Sequence, residues 1–444
     1  MHKVKKSYFK IKASNELLTD RGGLALFDEY VESTGILNNV DRVFPWPGSN
    51  RGISASSYFR VLGLHMFDGG RYLEEIRSLK GDKGFRKVLN LDRFPGPDAV
   101  GDWLRRHGEQ AMESDYFDIL MAKQLPLYLK ATSGTDGYIL DMDASIVESD
   151  KGDGMMSYAG IKGYMPMFGF ISDGKHKPFA TYVKFRQGYV SPQSDQLTGI
   201  KRTHELLQSH GAKLRAVRID SAGYMSDIVN YCDDENIHYT IVADHNTAVM
   251  NQVASIPETD WDTLYDRDGV DWGCEIAETK YVMGKGKRAS RLIVKRQTIA
   301  TKQLDVFDHS MSAYKYYVII SSIPKAEKTA QEVMHFHNGR GNAEKFIEDA
   351  KYGLNLKVVP TGQIQANALY YMIGMLVFNL VKLMQLTVLP HNWHHSMITS
   401  IRHKLFRTVA RVVSSARQLW LAITATVENI ELLIQARDKI YALE

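Results

Sequence analysis

The sequence predicts an α/β protein in which a mostly helical N-terminal region precedes a mixed sheet, and a β-rich insertion interrupts that sheet before its closing helix. Three observations predict this. Up to about residue 130 the apolar side chains recur at helical spacing. From Gly137 the runs become short, apolar and rich in β-branched and aromatic residues. The helix that should close the sheet is then delayed to about residue 329 by a further set of strand-like runs. At 444 residues the chain is too long for one ordinary core. It is expected to divide into regions 1–130, 131–245, 246–328, 329–388 and 389–444, the first mostly helical and the last a basic C-terminal region.

Composition narrows the possibilities. A net charge of +4 and a pI near 8.7 permit nucleic-acid binding through local patches without requiring it. With only Cys232 and Cys274, far apart, there is no disulfide framework and no cysteine zinc site, which points to a reducing compartment. The opening MHKVKKSYFKIKA is basic but lacks the apolar stretch of a secretory signal. The most apolar run, Ala366 to Met384, is broken by Gly374, Asn379 and Lys382. It falls short of the ~20 apolar residues of a clean membrane span, so a buried core helix, and no membrane, is expected.

In chain order, LALFDEYVESTGILNNVDRVF reads as helix and ends at the breakers Pro45, Pro47 and Gly48. Ile53 to Phe67 and Arg71 to Leu79 are further amphipathic segments. FRKVLNL and the breaker FPGP then lead to a helix that Asp98 could cap, carrying Trp103, Arg105 and Arg106. This helix pair suits either DNA reading or plain packing. The arm Lys3, Lys5, Lys6, Lys10 and Lys12 is a solvated strand unless a phosphate backbone meets it.

YILDMDASIV, YMPMFGFIS and PFATYVKFR read as three strands, followed by a helix from about Gln193 to Ser209. LRAVRID is a fourth strand ending at Asp220, SAGY turns into a helix holding Ser226 to Cys232, and HYTIVA is a fifth strand. With the closing helix, that is the order of a ribonuclease-H-like core. CEIAETKYVM, SRLIVKRQT and YKYYVIISS form the insertion, whose GKGKR loop and Lys295–Arg296 pair could follow DNA or tip a solvated hairpin. The tail from His391 to Arg417 holds five Arg or Lys and no acid, and an amphipathic helix ends the chain. HNWHH, at His391 to His395, lacks a nearby carboxylate or Cys and reads as an exposed loop.

The chemistry lies in the closing helix, HNGRGNAEKFIEDAK. At about 100° per residue, His337, Arg340, Glu344 and Lys351 fall within an arc of roughly 60° and form one stripe. Alone, such a stripe is an ordinary solvated face with staggered ion pairs. Upstream, however, two strands deliver aspartates. Asp141 and Asp143 share one strand face, and Asp220 ends another strand. Three carboxylates from separate elements would repel one another, and two Mg²⁺ ions would resolve that repulsion while clamping both oxygens of an in-line phosphodiester displacement. Asp143, Asp220 and Glu344 are the expected ligands, with Asp141 and Glu348 as substitutes.

H-x-x-R-x-x-x-E-x-x-x-x-x-x-K at His337, Arg340, Glu344 and Lys351 resembles the Y-x-x-R-x-x-x-E-x-x-x-x-x-x-K signature of DDE transposases encoded by bacterial insertion sequences. LDMDAS resembles that family's first-aspartate strand, where Thr or Ser follows two residues after the catalytic Asp. This favours Asp143, with Ser145, over Asp141. RIDSAGY resembles its second-aspartate motif, and KGYMPMFGF and RQGYVSP resemble the strands between. The departure is His337, where the signature has Tyr. The resemblance implies a cut-and-paste transposase with an interrupted ribonuclease-H-like core, in which Asp143, Asp220 and Glu344 bind two Mg²⁺ (or Mn²⁺). Arg340, Lys351 and His337 would grip the DNA backbone. Partners would be double-stranded DNA, as terminal inverted repeats and target, and a second copy on paired ends. The competing readings are a non-mobile metal-dependent nuclease and a domesticated, non-catalytic DNA-binding protein on the same fold.

Overall fold

The computed structural model describes residues 11–49, 51–91, 93–299 and 314–443. Of the basic arm, Lys3, Lys5, Lys6 and Lys10 lie outside the described residues, and Lys12 is exposed. A two-residue strand, β1 (Leu18–Thr19), leads into α1 (Leu24–Ser33), α2 (Ile36–Val43), α3 (Ala55–Phe67), α4 (Ile76–Gly81), α5 (Lys83–Leu89), α6 (Pro97–Glu113) and α7 (Tyr116–Ala131). Local chemistry sets several starts: Ser54 accepts from Ser57 N ahead of α3, and Asp82 from Phe85 N ahead of α5. Asp98 does not cap α6. Gly96 takes that place and Pro97 opens the helix, where its missing N–H costs nothing. The apolar face of α6, with Val100, Trp103 and Leu104, is buried, and Trp103 stacks on Tyr58 at 5.0 Å, so packing accounts for this face.

The central region runs β2 (Tyr138–Ala144), β3 (Val147–Glu148), β4 (Met155–Met156), β5 (Lys162–Tyr164), β6 (Met167–Ser172), β7 (Phe179–Lys184), α8 (Gln196–Ser209), β8 (Leu214–Ile219), α9 (Ser226–Asp234) and β9 (His238–Val242). Between β2 and β6, the short strands β3, β5 and β4 make a small antiparallel sheet of their own. In the main sheet β2 lies between β6, to which it is antiparallel, and β8, to which it is parallel, while β7 and β9 flank these. The order β7-β6-β2-β8-β9, with only β6 reversed, is that of the ribonuclease-H-like core.

After α10 (Thr247–Ala254) come β10 (Asp262–Tyr265), β11 (Asp271–Tyr281), β12 (Ser290–Thr298) and β13 (Tyr314–Ser321). These insertion strands do not form a separate layer. β13 pairs antiparallel with β9, Ile319 opposite Val242, so the core sheet continues through the insertion to nine strands among the described residues. Arg296 is not a free cation at a hairpin tip: it is bonded to Glu258 at 2.6 Å and Glu275 at 2.7 Å and lies over the Trp261 ring.

The chain closes with α11 (Ala330–Asn338), α12 (Gly341–Gly353), α13 (Ile364–Thr387), α14 (Ile398–Ile401), β14 (Val409–Ser415), β15 (Gln418–Thr424) and α15 (Val427–Tyr441). By length and composition α13 could cross a membrane, but it is buried within the protein. Each interruption of its apolar run has a partner. A Cβ at Gly374 would run into Leu356. Asn379 accepts from Ala180 N (2.8 Å) and donates to Ala180 O (3.0 Å), satisfying backbone of β7. Lys382 Nζ meets Asp349 of α12 at 2.5 Å, and Asp349 also accepts from Ile398 N, which ties α12 to α13 and α14. The tail is less of a solvated basic surface than its charge predicts: Arg402 is buried and donates to Phe67 O and Gly353 O, and β14 pairs with β1 at the other end of the chain.

Candidate active site

β2 and β8 are adjacent and parallel, with Asp141 opposite Arg218. Two residues further along each strand come Asp143 and Asp220, so the register brings the two aspartates to the same end of neighbouring strands. Asp220 follows the last residue of β8 and accepts from Ala222 N at 3.0 Å, closing the small turn Ser221–Gly223. Asp143 accepts from Ala144 N at 2.8 Å. Its carboxyl is pushed up to about 7 by burial and then by the negative charge of Asp220, with Glu344 adding to the shift and Arg340 opposing it.

Glu344 comes from the first turn of α12 and its side chain is 62% exposed. The Arg340 guanidinium lies 2.9 Å from Glu344 Oε1 and 3.7 Å from Asp143 Oδ2. Burial opposes its charge, but Asp143, Asp220 and Glu344 together hold its pKa above the ordinary value. One cation thus pairs with carboxylates from β2 and α12, and the charge of Asp220 at the end of β8 also acts on it. Among the described residues no three His, Cys, Asp or Glu side chains stand close enough to hold one metal ion. The donor set is nonetheless of the kind a hard divalent ion takes, carboxylate oxygens alone, with the charges of Asp220 and Glu344 adding to the rise that burial gives Asp143.

The expected single helix is two. Gly339 N bonds Phe336 O and Arg340 N bonds His337 O, a tightened turn that ends α11, and Arg340 is the N-cap of α12. In an uninterrupted helix Phe336 O would accept from Arg340 N. Here it accepts from Gly339 N and from Arg218 Nη1, the latter at 2.9 Å, and the glycines on either side of Arg340 favour the break. Consequently His337 leaves the stripe. It is 1% exposed and faces the sheet, with Nδ1 2.9 Å from Thr240 Oγ1 and Nε2 3.1 Å from the Tyr317 hydroxyl. Burial, then Arg340 and Arg218, push its pKa down to about 3, so the ring is neutral at physiological pH and out of reach of a DNA backbone.

Lys351 stays near Asp143 but is engaged, donating to Ser145 Oγ and Ile146 O, each at 2.6 Å; burial lowers its pKa to about 8. Asp141 is fully buried and bonded by both oxygens to Arg218 at 2.7 and 2.6 Å, so of the two strand aspartates it is Asp143 that turns to Arg340. Glu348 is exposed one turn past Glu344, and the acidic charges that act on Asp143 are Asp220 and Glu344. Arg218, Gly339, Thr240 and Tyr317 were not singled out by motif or spacing. The signal for Arg218 lay in the sequence as complementary charges, Asp141 and Arg218, each two residues before an aspartate of interest.

No curated protein matches this chain. Among solved structures it is similar to a piggyBac transposase, determined by cryo-EM as a synaptic complex with hairpin DNA. The identity is 12% and the TM-score 0.42, over 97% of this chain and 82% of that one. The sequence family described as transposase DDE domain group 1 matches residues 1–444. Its match runs through both aspartate-bearing strands, the insertion and the helix that carries Glu344, and by that match the chain belongs to the DDE transposases.

Proposed function

We propose that the chain is a cut-and-paste transposase of an insertion sequence, acting on double-stranded DNA at terminal inverted repeats as a homodimer on paired ends, in a bacterial cytoplasm and on the nucleoid. In this reading Asp143, Asp220 and Glu344 hold two Mg²⁺ ions, for which Mn²⁺ can substitute. The observation that carries it is the Arg340 guanidinium placed between Glu344, at 2.9 Å, and Asp143, at 3.7 Å, with Asp220 at the matching end of the neighbouring parallel strand. When bound, the ions activate the attacking oxygen and neutralise charge on the phosphate.

The reaction has two balanced displacements. A water oxygen attacks the phosphorus at the element end, the P–O3' bond breaks, and the 3'-oxygen leaves with a proton. That 3'-hydroxyl then attacks a target phosphorus and displaces the target's own 3'-oxygen. The chain's residues prepare the site. Arg340 passes from the carboxylates to a DNA phosphate, exchanging one anionic partner for another of matching bidentate geometry. Lys351 anchors the last turn of α12 to the end of β2 and presents a second positive charge beside Asp143.

A strand-transfer assay with a pre-cut element end, taken from the DNA flanking the gene, tests the proposal. Wild type should join the end to a target duplex in Mg²⁺, and Asp220→Ala should neither cut nor join. Nicking without joining would make the protein a nuclease, and binding without either would make it a non-catalytic DNA-binding protein.

A further inference from the structure

The three carboxylates come from β2, the end of β8 and α12, and one buried side chain of β8 is bonded to β2 and to α11, the helix that leads into α12. Arg218 lies on β8, two residues before Asp220. Its Cα partner across the parallel β2–β8 pairing is Asp141, two residues before Asp143. Nε and Nη2 donate to the two Asp141 oxygens at 2.7 and 2.6 Å, and Nη1 donates to Phe336 O at 2.9 Å. Phe336 is on the last turn of α11, immediately before the break that leads to Arg340 and Glu344. Packing holds the fork in place: the Arg218 Cζ lies 5.1 Å from the centre of the Phe336 ring, and a Cβ at Gly339 would run into Nη1.

We infer that Arg218 is the positioning residue of the carboxylate cluster. The inference rests on the proposed reading of Asp143, Asp220 and Glu344 as metal ligands. The donors of a guanidinium lie in one plane at fixed angles, so bonding β2 with two of them and α11 with a third, from β8, sets the spacing of the two aspartate strands and of the end of α11 from which α12 and Glu344 start. A lysine supplies the charge without that geometry. A buried ion pair adds little net stability over apolar side chains of the same volume, so stability alone does not explain charges at this rung of the sheet. Groups that orient metal ligands from behind typically change metal affinity by about 10–100-fold when removed.

The test is Mn²⁺ binding to the full chain, followed by electron paramagnetic resonance in the presence of a duplex oligonucleotide, with thermal unfolding measured alongside. Arg218→Lys should fold and bind Mn²⁺ about tenfold or more weakly than wild type. The double variant Asp141→Leu, Arg218→Met, which replaces the pair by apolar side chains, should unfold close to the wild-type temperature without regaining Mn²⁺ affinity. If Arg218→Lys does not fold, the double variant alone carries the comparison. Mn²⁺ affinity within about twofold of wild type in either folded variant would overturn the inference while leaving the ligand assignment standing. A wild-type chain that takes up no Mn²⁺ would overturn that assignment and the inference with it.

Discussion

Asp143→Asn should stabilise the metal-free, DNA-free protein, by an amount that grows as pH rises from about 4 and levels off above about 7. The Asp143 carboxyl is raised from 3.8 to about 7 by burial and by the charges of Asp220 and Glu344. In the unfolded chain it gives up its proton near pH 4, whereas in the folded protein it keeps it to about pH 7. Between those values the folded state binds more protons than the unfolded one, so wild-type stability falls as pH rises through that window. At about 1.4 kcal/mol per pH unit, the accumulated loss at pH 8 is at most about 4 kcal/mol. A chain of 444 residues has an unfolding entropy near 0.9 kcal/mol per kelvin, so this corresponds to about 4 °C in Tm. Differential scanning fluorimetry of both proteins from pH 4 to 8 reads it out. The Tm difference, variant minus wild type, should be near zero at pH 4 and grow to about 4 °C at pH 8. Asp28, raised to about 6 by burial although Arg60 opposes the shift, titrates in both proteins and cancels. Adding Mg²⁺ at pH 8 should raise the wild-type Tm and leave the variant unmoved. Parallel pH curves would mean that Asp143 ionises normally and that the three carboxylates do not gather in solution.

The Asp220→Asn and Glu344→Gln proteins should lose Mg²⁺-dependent cleavage while binding an end duplex within about threefold of wild type, measured by gel shift. Loss of binding along with cleavage would assign these residues to DNA contact. Arg340→Ala should weaken duplex binding and reduce the slope of log K against log salt by about one, and an unchanged slope would remove Arg340 from the DNA backbone. His337→Phe strands the Thr240 and Tyr317 hydroxyls and should cost about 1–3 kcal/mol in urea unfolding, with duplex affinity unchanged. A drop in affinity without a drop in stability would return His337 to the DNA-contacting set.

Much of the fold was legible because the signals are local. Short β-rich runs around Asp143 and Asp220, helical spacing in Gln196–Ser209 and Ser226–Asp234, and the delayed closing helix are each written in a dozen or so neighbouring residues. The breaks in the α13 run were legible as breaks. Their reasons were not, because Ala180 and Asp349, which Asn379 and Lys382 serve, are distant in sequence.

The sequence by itself determined the main strands and helices of the core and their order, and that two strand aspartates and a helical glutamate would arise at their ends. Only the tertiary structure decided that the insertion would extend the same sheet, that Asp143 rather than Asp141 would turn to Arg340, and that the closing helix would break and take His337 out of its stripe. The last two outcomes trace to one side chain. Arg218 neutralises Asp141 across a sheet rung and takes the Phe336 carbonyl that an unbroken helix would have used, from 118 residues away. Periodicity records what a segment prefers when alone, and a buried donor arriving from another strand changes that preference by supplying a partner no local pattern contains.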